Sequence, residues 1–329
     1  AFSLTGADVT FATSNDAVEF AASTGQGGDV TLADISDLTI NSGSGAITFG
    51  GDILGTDSGV STDVILNSSG AVSVKSIGAN GSTVDGNIND VTIDGGTITL
   101  NGTIATAVLG GSGGSASTDL GVVDINGAVS LGGATTIDTS ATGNNGAIDF
   151  SSTINGAKAL VIKSGSGAVN VTAAIGGQTA LSSLDINGTS STGTIEVNDI
   201  GTSSASGVTG LTVLGNANTS SLTTDGTNYD FGGGITIGLD FTMVGSPLNS
   251  SFTTSGNVSF GGDVTVDGTL TVNTSGGNIS IAGNISSTGK DEVVSLSDGT
   301  GTGTITLGGT VTSGDITLIG DSGISIAGN

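Results

Sequence analysis

The chain has 329 residues, of which 61 are glycine, and its 29 acidic residues against four lysines give a formal net charge of −25. It contains no arginine, histidine, cysteine or tryptophan. Their absence excludes Ser-His-Asp and Cys-His catalysis, zinc sites built from His or Cys, and haem or iron–sulfur ligation. The charge excludes a nucleic-acid partner and disfavours anionic membrane surfaces, since both need clustered Lys and Arg.

One short segment recurs along the whole chain: a glycine, one small or polar residue, and then an apolar–polar–apolar triplet. In chain order the copies begin at Gly6, Gly28, Gly45, Gly70, Gly96, Gly127, Gly146, Gly167, Gly193, Gly210, Gly234, Gly256, Gly277, Gly303 and Gly323, those at Gly210 and Gly234 being weaker. These are about fifteen copies, roughly one every 22 residues. Such a recurrence indicates a repeat architecture, because one unit cannot bury its apolar residues alone.

Apolar alternation over three to five positions has the period of a β-strand and not that of a helix. Val, Ile, Thr and Phe occupy these positions, and the strong helix formers Glu, Lys and Gln are scarce. Each unit of about 22 residues is therefore predicted to hold two or three strands of three to five residues, joined by Gly, Asn, Asp and Ser turns. No helix longer than a turn is expected.

Two all-β architectures compete for such a pattern. A sandwich or barrel needs longer antiparallel strands joined by hairpins, whereas a parallel β-solenoid stacks equivalent strands of successive coils about 4.8 Å apart. The fixed recurrence favours a single β-solenoid over residues 1–329, with about fourteen coils of roughly 22 residues. Two inward ladders are predicted: Ile47, Val72, Ile98, Val129, Ile148, Val169 and Ile195; and Phe49, Val74, Leu100, Leu131, Phe150, Val171 and Val197.

Some stretches depart from the repeat. The Gly/Ser-rich residues 110–118 and 201–207 are predicted to be inserted loops. The region around 201–250 is the least regular and holds the chain's only tyrosine, proline and methionine, at Tyr229, Pro247 and Met243. This region is interpreted as either a bend or a decorated loop.

The C-terminal third carries a family resemblance. Residues 256–272 (GNVSFGGDVTVDGTLTV) and 277–285 (GNISIAGNI) resemble the repeats of filamentous-haemagglutinin-like adhesins and related autotransporter passengers. The resemblance implies a right-handed parallel β-helix (β-solenoid) on the bacterial cell surface or secreted outside the cell. It transfers no functional residue, because the repeats of that family are scaffold. The expected function is a non-enzymatic structural and adhesive β-helical rod.

A polysaccharide-acting enzyme or a glycan-binding tailspike-like module is the alternative, because parallel β-helices include both. Glycoside hydrolysis needs two carboxylates at a defined separation. Asp124 with Asp149, or Asp263 with Asp267, could supply such a pair. Solvated turn aspartates explain the same residues more simply, and aromatic residues for sugar stacking make up only 3% of the chain. No catalytic residue is therefore assigned, and the chain is predicted not to be an enzyme.

Calcium is left open without an assigned site. The segments Asp124-Ile-Asn-Gly and Asp185-Ile-Asn-Gly resemble the start of an oxygen-rich calcium loop, but neither continues with the further ligands of an EF-hand. In each, the isoleucine more simply points inward between a turn Asp and a turn Asn. No cofactor-binding or metal-ligating residue is therefore assigned.

Thr-x-Thr pairs are typical of ice-binding solenoids when they stand on consecutive coils. The pairs here are Thr97 with Thr99, Thr269 with Thr271, and Thr304 with Thr306. Their spacing does not place them on consecutive coils, and ordinary β-propensity explains them.

Neither terminal segment has the sequence expected of a polar cap. The repeat begins by Val9, and the chain stops at Gly323-Ile-Ser-Ile-Ala-Gly-Asn within a good copy. Solenoid ends without caps expose unpaired backbone groups and apolar residues. The expectation is that these residues either are a segment of a longer chain or self-associate through the solenoid ends into filaments. A surface or glycan ligand fits this interpretation, and membrane insertion and nucleic acid do not.

Overall fold

The computed structural model describes residues 2–4, 8–21, 28–32, 36–55, 62–78, 88–106, 121–140, 145–189, 191–202, 207–219, 221–224, 228–239, 241–243, 248–289, 291–299 and 302–327. The chain divides into two compact units. The first comprises Ala1–Ile154 with Leu160–Asn170, and the second comprises Asn155–Ala159 with Val171–Asn329.

All regular elements of the described residues are β-strands. Up to residue 171 they are β1 (Phe2–Leu4), β2 (Val9–Ala12), β3 (Val18–Phe20), β4 (Val30–Leu32), β5 (Leu38–Asn41), β6 (Ile47–Phe49), β7 (Ile53–Gly55), β8 (Val64–Asn67), β9 (Ala71–Val74), β10 (Val91–Leu100), β11 (Thr103–Ala105), β12 (Val123–Leu131), β13 (Thr135–Asp138), β14 (Ile148–Phe150), β15 (Ile154–Asn155), β16 (Ala159–Lys163) and β17 (Val169–Val171). Beyond it they are β18 (Ser183–Ile186), β19 (Thr194–Val197), β20 (Thr212–Leu214), β21 (Ser221–Thr224), β22 (Asn228–Phe231), β23 (Ile235–Ile237), β24 (Phe241–Met243), β25 (Leu248–Thr254), β26 (Val258–Phe260), β27 (Val264–Val266), β28 (Gly268–Thr274), β29 (Ile279–Ile281), β30 (Ile285–Ser287), β31 (Val293–Ser297), β32 (Ile305–Leu307), β33 (Val311–Thr312), β34 (Asp315–Ile319) and β35 (Ile324–Ile326).

Each unit is a parallel β-solenoid, as predicted, with three short strands in a typical turn. In the first unit β5, β6 and β7 pair in parallel with β8, β9 and the bridge residue Ile77 of the next turn. In the second unit β27, β28 and β29 pair in the same way with β30, β31 and β32. The all-β prediction is therefore confirmed for the described residues.

Counted along continuous strand pairing, the solenoid turns are fewer than predicted. On one face β11, β13 and β16 pair in the first unit, and β18, β20, β23, β26, β29, β32 and β35 pair in the second. These strands make about ten turns, against the fourteen coils expected. Strands β1, β4 and β7 of the first unit form a separate sheet, which single-residue bridges through Ile77 connect to β11.

The first of the two predicted inward ladders, which starts at Ile47, is confirmed over its first four members. Its predicted stacking is wrong at the fifth. Ile47, Val72, Ile98 and Val129 are consecutive register partners and are buried. Ile148, however, pairs with Val123 and not with Val129. Every face of a turn carries the same apolar alternation, so the repeat alone does not show which face a given copy occupies.

One weaker copy of the repeat is shifted by a residue. The side chain of Leu211 is 55% exposed, whereas Thr212 is fully buried and pairs with Ile235 of the next turn. The pattern Gly-Leu-Thr-Val-Leu therefore turns its first apolar residue outward and a threonine inward. Strand pairing with the neighbouring turns decides this orientation, because a strand that slips by one residue exchanges its two faces.

The irregular region holds an aromatic part of the core. Tyr229 is fully buried, and its ring stacks on that of Phe252 with centroids 4.8 Å apart. Phe241 meets Phe252 edge-on with centroids 5.5 Å apart, and Met243 is also buried. Pro247, residues 203–206 and the predicted loop at 110–118 lie outside the described residues.

Candidate functional site

One corner of the first unit shortens by one residue per turn over four successive turns. Two columns of register partners flank it: Asn41, Asn67, Asp94 and Asn126 precede the corner, and Ile47, Val72, Ile98 and Val129 follow it. Between the columns lie residues 42–46, 68–71, 95–97 and 127–128, which are five, four, three and two residues in successive turns. The surface of the solenoid is therefore stepped at this corner.

Glycine occupies both the longest and the shortest of these four corners. At the long end, Gly43 has a φ of +62°, and a Cβ there would lie 2.6 Å from Asn15 Oδ1. At the short end, Gly127 has a φ of +155°, and a Cβ would lie 1.9 Å from the carbonyl oxygen of Gly95. Both glycines have a positive φ that residues with a Cβ rarely adopt, so a substitution at either position would strain the backbone.

The steps form an open groove of about 440 Å³. Its walls are formed by amide, hydroxyl and carboxylate side chains and one glycine: Asn41, Gly43, Asn67, Ser68, Ser69 and Asp94. The serines are tied to the backbone, since Ser68 Oγ donates to the carbonyl of Gly45 at 2.7 Å and Ser69 Oγ to that of Gly43 at 3.1 Å. The groove therefore has a fixed floor and a side wall of Asn and Asp.

That wall is a ladder of side chains that runs from turn to turn. Asn67 Nδ2 donates to Asn41 Oδ1 at 2.8 Å, and Asn126 Nδ2 donates to Asp94 Oδ1 at 2.8 Å. All four side chains are partly buried. The ladder orients polar atoms at the regular spacing of the turns, about 4.8 Å.

A second ladder in the same unit consists of aspartates that cap the backbone of the following turn. Asp8 Oδ1 accepts from the N–H of Asp37, Asp37 Oδ1 from that of Asp63, and Asp63 Oδ1 from that of Asp90. Asp90 Oδ1 then accepts from the N–H of Val122 at 2.6 Å. These carboxylates therefore satisfy backbone donors where the chain enters a strand.

Burial and the neighbouring carboxylates of this ladder disfavour the charged form of Asp37. Burial, with repulsion from the carboxylates of Asp63 and Asp8, raises the pKa of Asp37 above the ordinary 3.8, and the hydrogen bond from the Asp63 N–H opposes the rise. Burial disfavours the charged form and is the larger cause.

The structure brings together one predicted carboxylate pair and separates the other. Asp124 and Asp149 are register partners on adjacent strands, and Asp149 Oδ1 accepts a hydrogen bond from Asn170 Nδ2 at 2.5 Å. Asp263 and Asp267 stand at opposite ends of β27, so their Cα atoms lie about 13 Å apart along the strand. Asp263 instead caps the N–H of Asn284 at 2.6 Å.

The two segments that resemble calcium loops have their isoleucines inward, because Ile125 and Ile186 are fully buried. In the first, Asn126 belongs to the corner ladder. In the second, Asp185 Oδ1 accepts from the N–H of Gly188 at 2.9 Å, which closes a local turn. Among the residues that the structure describes, no group of three or more acidic side chains is placed to hold a metal ion.

The Thr-x-Thr pairs do not continue on the neighbouring turns. Thr97 and Thr99 pair with Ala71 and Ser73 on one side and with Ala128 and Ser130 on the other. Thr269 and Thr271 have Val293 and Ser295 as partners on the next turn. The prediction that these pairs are not consecutive is confirmed for the described strands.

Sequence reasoning missed the groove, although its signal is visible in retrospect. Each corner begins with an apolar residue followed by Asn or Asp and then small residues: Ile40-Asn41-Ser-Gly, Leu66-Asn67-Ser-Ser-Gly, Ile93-Asp94-Gly-Gly and Ile125-Asn126-Gly. The stepwise loss of one residue at each corner becomes apparent only when the register is known.

Comparisons with known proteins found no matching family model, no matching curated protein and no matching solved structure. The resemblance to filamentous-haemagglutinin-like adhesins therefore stays a prediction. Within the described part of the chain, no helix has the length and apolar character to cross a bilayer.

Proposed function

We propose that this chain is a non-enzymatic structural and adhesive β-solenoid of a bacterial surface or secreted exoprotein. The observation that carries the proposal is the use of its carboxylates. The side chains of Asp8, Asp37, Asp63 and Asp90 all cap backbone N–H groups of the next turn. Acidic side chains in this arrangement stabilise a scaffold, and a catalytic role would compete with their hydrogen bonds.

The outward faces of the second unit support an adhesive role. One column of register partners carries a hydroxyl on five successive turns, and all five residues are partly or fully exposed: Thr236, Ser259, Ser280, Thr306 and Ser325. Repetition of one weak contact at a fixed spacing gives multivalent binding without a deep pocket. The absence of arginine, histidine and cysteine from the sequence supports the non-enzymatic part of the proposal.

The test combines adhesion with a search for activity. Beads that carry the folded chain are expected to adhere to surfaces coated with neutral glycans, and beads that carry heat-unfolded chain serve as the control. The soluble chain is expected to leave acidic and neutral polysaccharides intact, with and without Ca²⁺. Equal adhesion of folded and unfolded chain, or reproducible depolymerisation, would contradict the proposal.

A second candidate function, hydrolysis of glycosidic bonds, is favoured by one contact. Asp124 and Asp149 are register partners on adjacent strands, and the usual strand spacing of about 4.8 Å is close to the separation of about 5–5.5 Å between the carboxyl groups of retaining glycosidases. Depolymerisation that is lost in both Asp124→Asn and Asp149→Asn would establish it. Activity that survives in either variant would rule out this pair.

The C-terminal edge of the second unit supports self-association as the partner interaction. Strands β34 and β35 pair with β31 and β32 of the preceding turn, and four isoleucines there are 41–56% exposed: Ile316, Ile319, Ile324 and Ile326. An open strand edge with apolar residues is a template for another strand. That strand belongs either to a further turn of a longer chain or to a second copy.

Sedimentation velocity distinguishes these cases for the chain as it stands. End-to-end association is expected to increase with salt, because salt screens the repulsion between copies of charge −25. The variant Ile324→Lys, which places a charge in the edge, is expected to sediment as a monomer. A strictly monomeric wild-type chain in both low and high salt would overturn self-association.

A further inference from the structure

We propose that the stepped groove of the first unit binds neutral oligosaccharides, whose hydroxyls donate to Asn67 Oδ1 and to the carboxylate of Asp94. The proposal rests on the adhesive function proposed above and gives it a site and a ligand class. It begins from an interruption in the ladder of Asn and Asp side chains.

The hydrogen bonds of the ladder run in one direction. Asn67 donates its Nδ2 to Asn41 of the preceding turn, and Asn126 donates its Nδ2 to Asp94 of the preceding turn. An asparagine at position 94 would continue the series by donating to Asn67. An ionised aspartate has no hydrogen to donate.

At this step of the ladder two hydrogen-bond acceptors, Asn67 Oδ1 and the Asp94 carboxylate, are therefore neighbours, and neither donates to the other. The amide of Asn67 uses Nδ2 toward Asn41, which leaves its Oδ1 on the side of the next turn, where Asp94 is the register partner. The two residues stand on strands about 4.8 Å apart. A ligand hydroxyl between them could satisfy the Asn67 amide and the Asp94 carboxylate together.

The neighbouring side chains do not supply that donor. The hydroxyls of Ser68 and Ser69 donate to the carbonyls of Gly45 and Gly43. The acceptor pair stands in the wall of the groove, which has room for more than a single ion at about 440 Å³. The site thus presents fixed acceptors and open space.

A neutral sugar fits this chemistry better than a cation or an anionic glycan. Hydroxyls on adjacent ring carbons supply donors at close spacing. Ca²⁺ takes six to eight oxygen ligands, and the interruption offers side-chain oxygens from two residues. The chain's charge of −25 repels uronic acids and sulfated sugars. With few contacts and no aromatic residue in the wall, the expected dissociation constant is about 1 mM.

The test is an NMR titration of the full chain, labelled with ¹⁵N, using maltotriose, cellotriose and chitotriose as probes. At least one probe is expected to shift the side-chain amide signals of Asn67 and Asn126 in a saturable way. Asp94→Asn supplies the missing donor from within the protein and is expected to weaken binding at least tenfold. Asp291→Asn removes the same charge from an exposed site in the second unit and is expected to bind as wild type.

Three results would overturn the site. The first is unchanged affinity in Asp94→Asn. The second is the absence of a saturable response to all three sugars, whether or not CaCl₂ shifts the same signals. The third is an Asn67 amide that donates to Asp94 in the free protein, because that orientation completes the ladder without a ligand.

Bead adhesion and the titration together distinguish the sugar site from the adhesive function proposed above. If glycan-coated surfaces hold wild-type and Asp94→Asn beads equally, the adhesive function stands and the groove is not its site. If the groove binds sugar in solution but folded beads adhere no better than unfolded ones, the groove stands and the adhesive function falls.

Discussion

The two units cap their turns with the same geometry, the first with aspartates and the second with asparagines together with aspartates such as Asp263. In the first unit a column of aspartates, including Asp37 and Asp63, accepts the backbone N–H of the next turn. In the second unit Asn278 and Asn284 do the same work, and each also accepts the hydroxyl of a threonine, Thr304 or Thr310. The cap requires a short side chain with an acceptor oxygen, and its charge is free to vary.

The cores differ as well. Aliphatic ladders fill the stepped corner of the first unit, where Ile47, Val72 and Ile98 are fully buried. The second unit gathers aromatic rings around Phe252, with Tyr229 and Phe260 at centroid distances of 4.8 and 6.0 Å. The first unit has a smaller aromatic cluster away from this corner, in which Phe20 stacks on Phe49 with centroids 4.8 Å apart. Capping and aromatic packing are therefore common to both units, while the size of the aromatic cluster differs between them.

The largest expected effect comes from breaking the aromatic core. Phe252 is fully buried among the rings of Tyr229, Phe231, Phe241 and Phe260. Phe252→Ala removes these contacts and leaves a cavity, which is expected to lower the free energy of unfolding by about 3–5 kcal/mol. Urea denaturation measures the loss. The exposed Leu211 provides the control, since Leu211→Ala is expected to change stability by less than about 0.5 kcal/mol; equal losses in the two variants would refute the packing argument.

A smaller effect is expected from removing a cap in the second unit. Asn278 Oδ1 accepts from the N–H of Thr304 at 2.9 Å and from its hydroxyl at 3.0 Å. Asn278→Ala is expected to cost about 1 kcal/mol in thermal or urea unfolding, because one acceptor serves both donors. Asn278→Asp keeps the acceptor and is expected to retain most of the stability.

Asn273→Ala is the matched control for this cap, since Asn273 lies exposed on β28. A loss there as large as in Asn278→Ala would mean that asparagines stabilise this unit through strand propensity and not through capping.

The strands could be predicted from sequence because alternation depends on residues close together in the chain. The register could not, since it pairs strand residues 19 or more positions apart and all faces share one pattern. Ile148 shows this: its triplet matches that of Val129, yet it pairs with Val123. Thr212 shows the same for a single strand, where pairing put the polar residue inside.

The candidate groove depends on register even more strongly. Asn41, Asn67 and Asp94 are unremarkable turn residues in the sequence, and only stacking places them in one wall. The role of the aspartates was predictable in part. They were expected as solvated residues of the short connections between strands, and the structure shows that many of them accept a backbone N–H of the next turn of the solenoid.

The smallest expected effect sharpens the contrast between charged and neutral caps. Asp37→Asn keeps an acceptor for the N–H of Asp63 and removes a carboxylate whose pKa is raised by burial and by its acidic neighbours. A raised folded-state pKa means that ionisation destabilises the fold. The penalty is absent below the unfolded pKa of about 3.9 and is complete once the pH exceeds the folded value.

Asp37→Asn is therefore expected to raise the free energy of unfolding at pH 7 by about 0.5 kcal/mol, the scale of a partly exposed substitution. The gain is expected to disappear at a pH below 3.9, where the wild-type carboxyl is protonated in both states. Urea unfolding at both pH values measures it. Asp291→Asn controls for net charge at an exposed position. A loss of stability at pH 7 would show that the cap needs the charge of the carboxylate, and that the amide caps of the second unit are not equivalent to the carboxylate caps of the first.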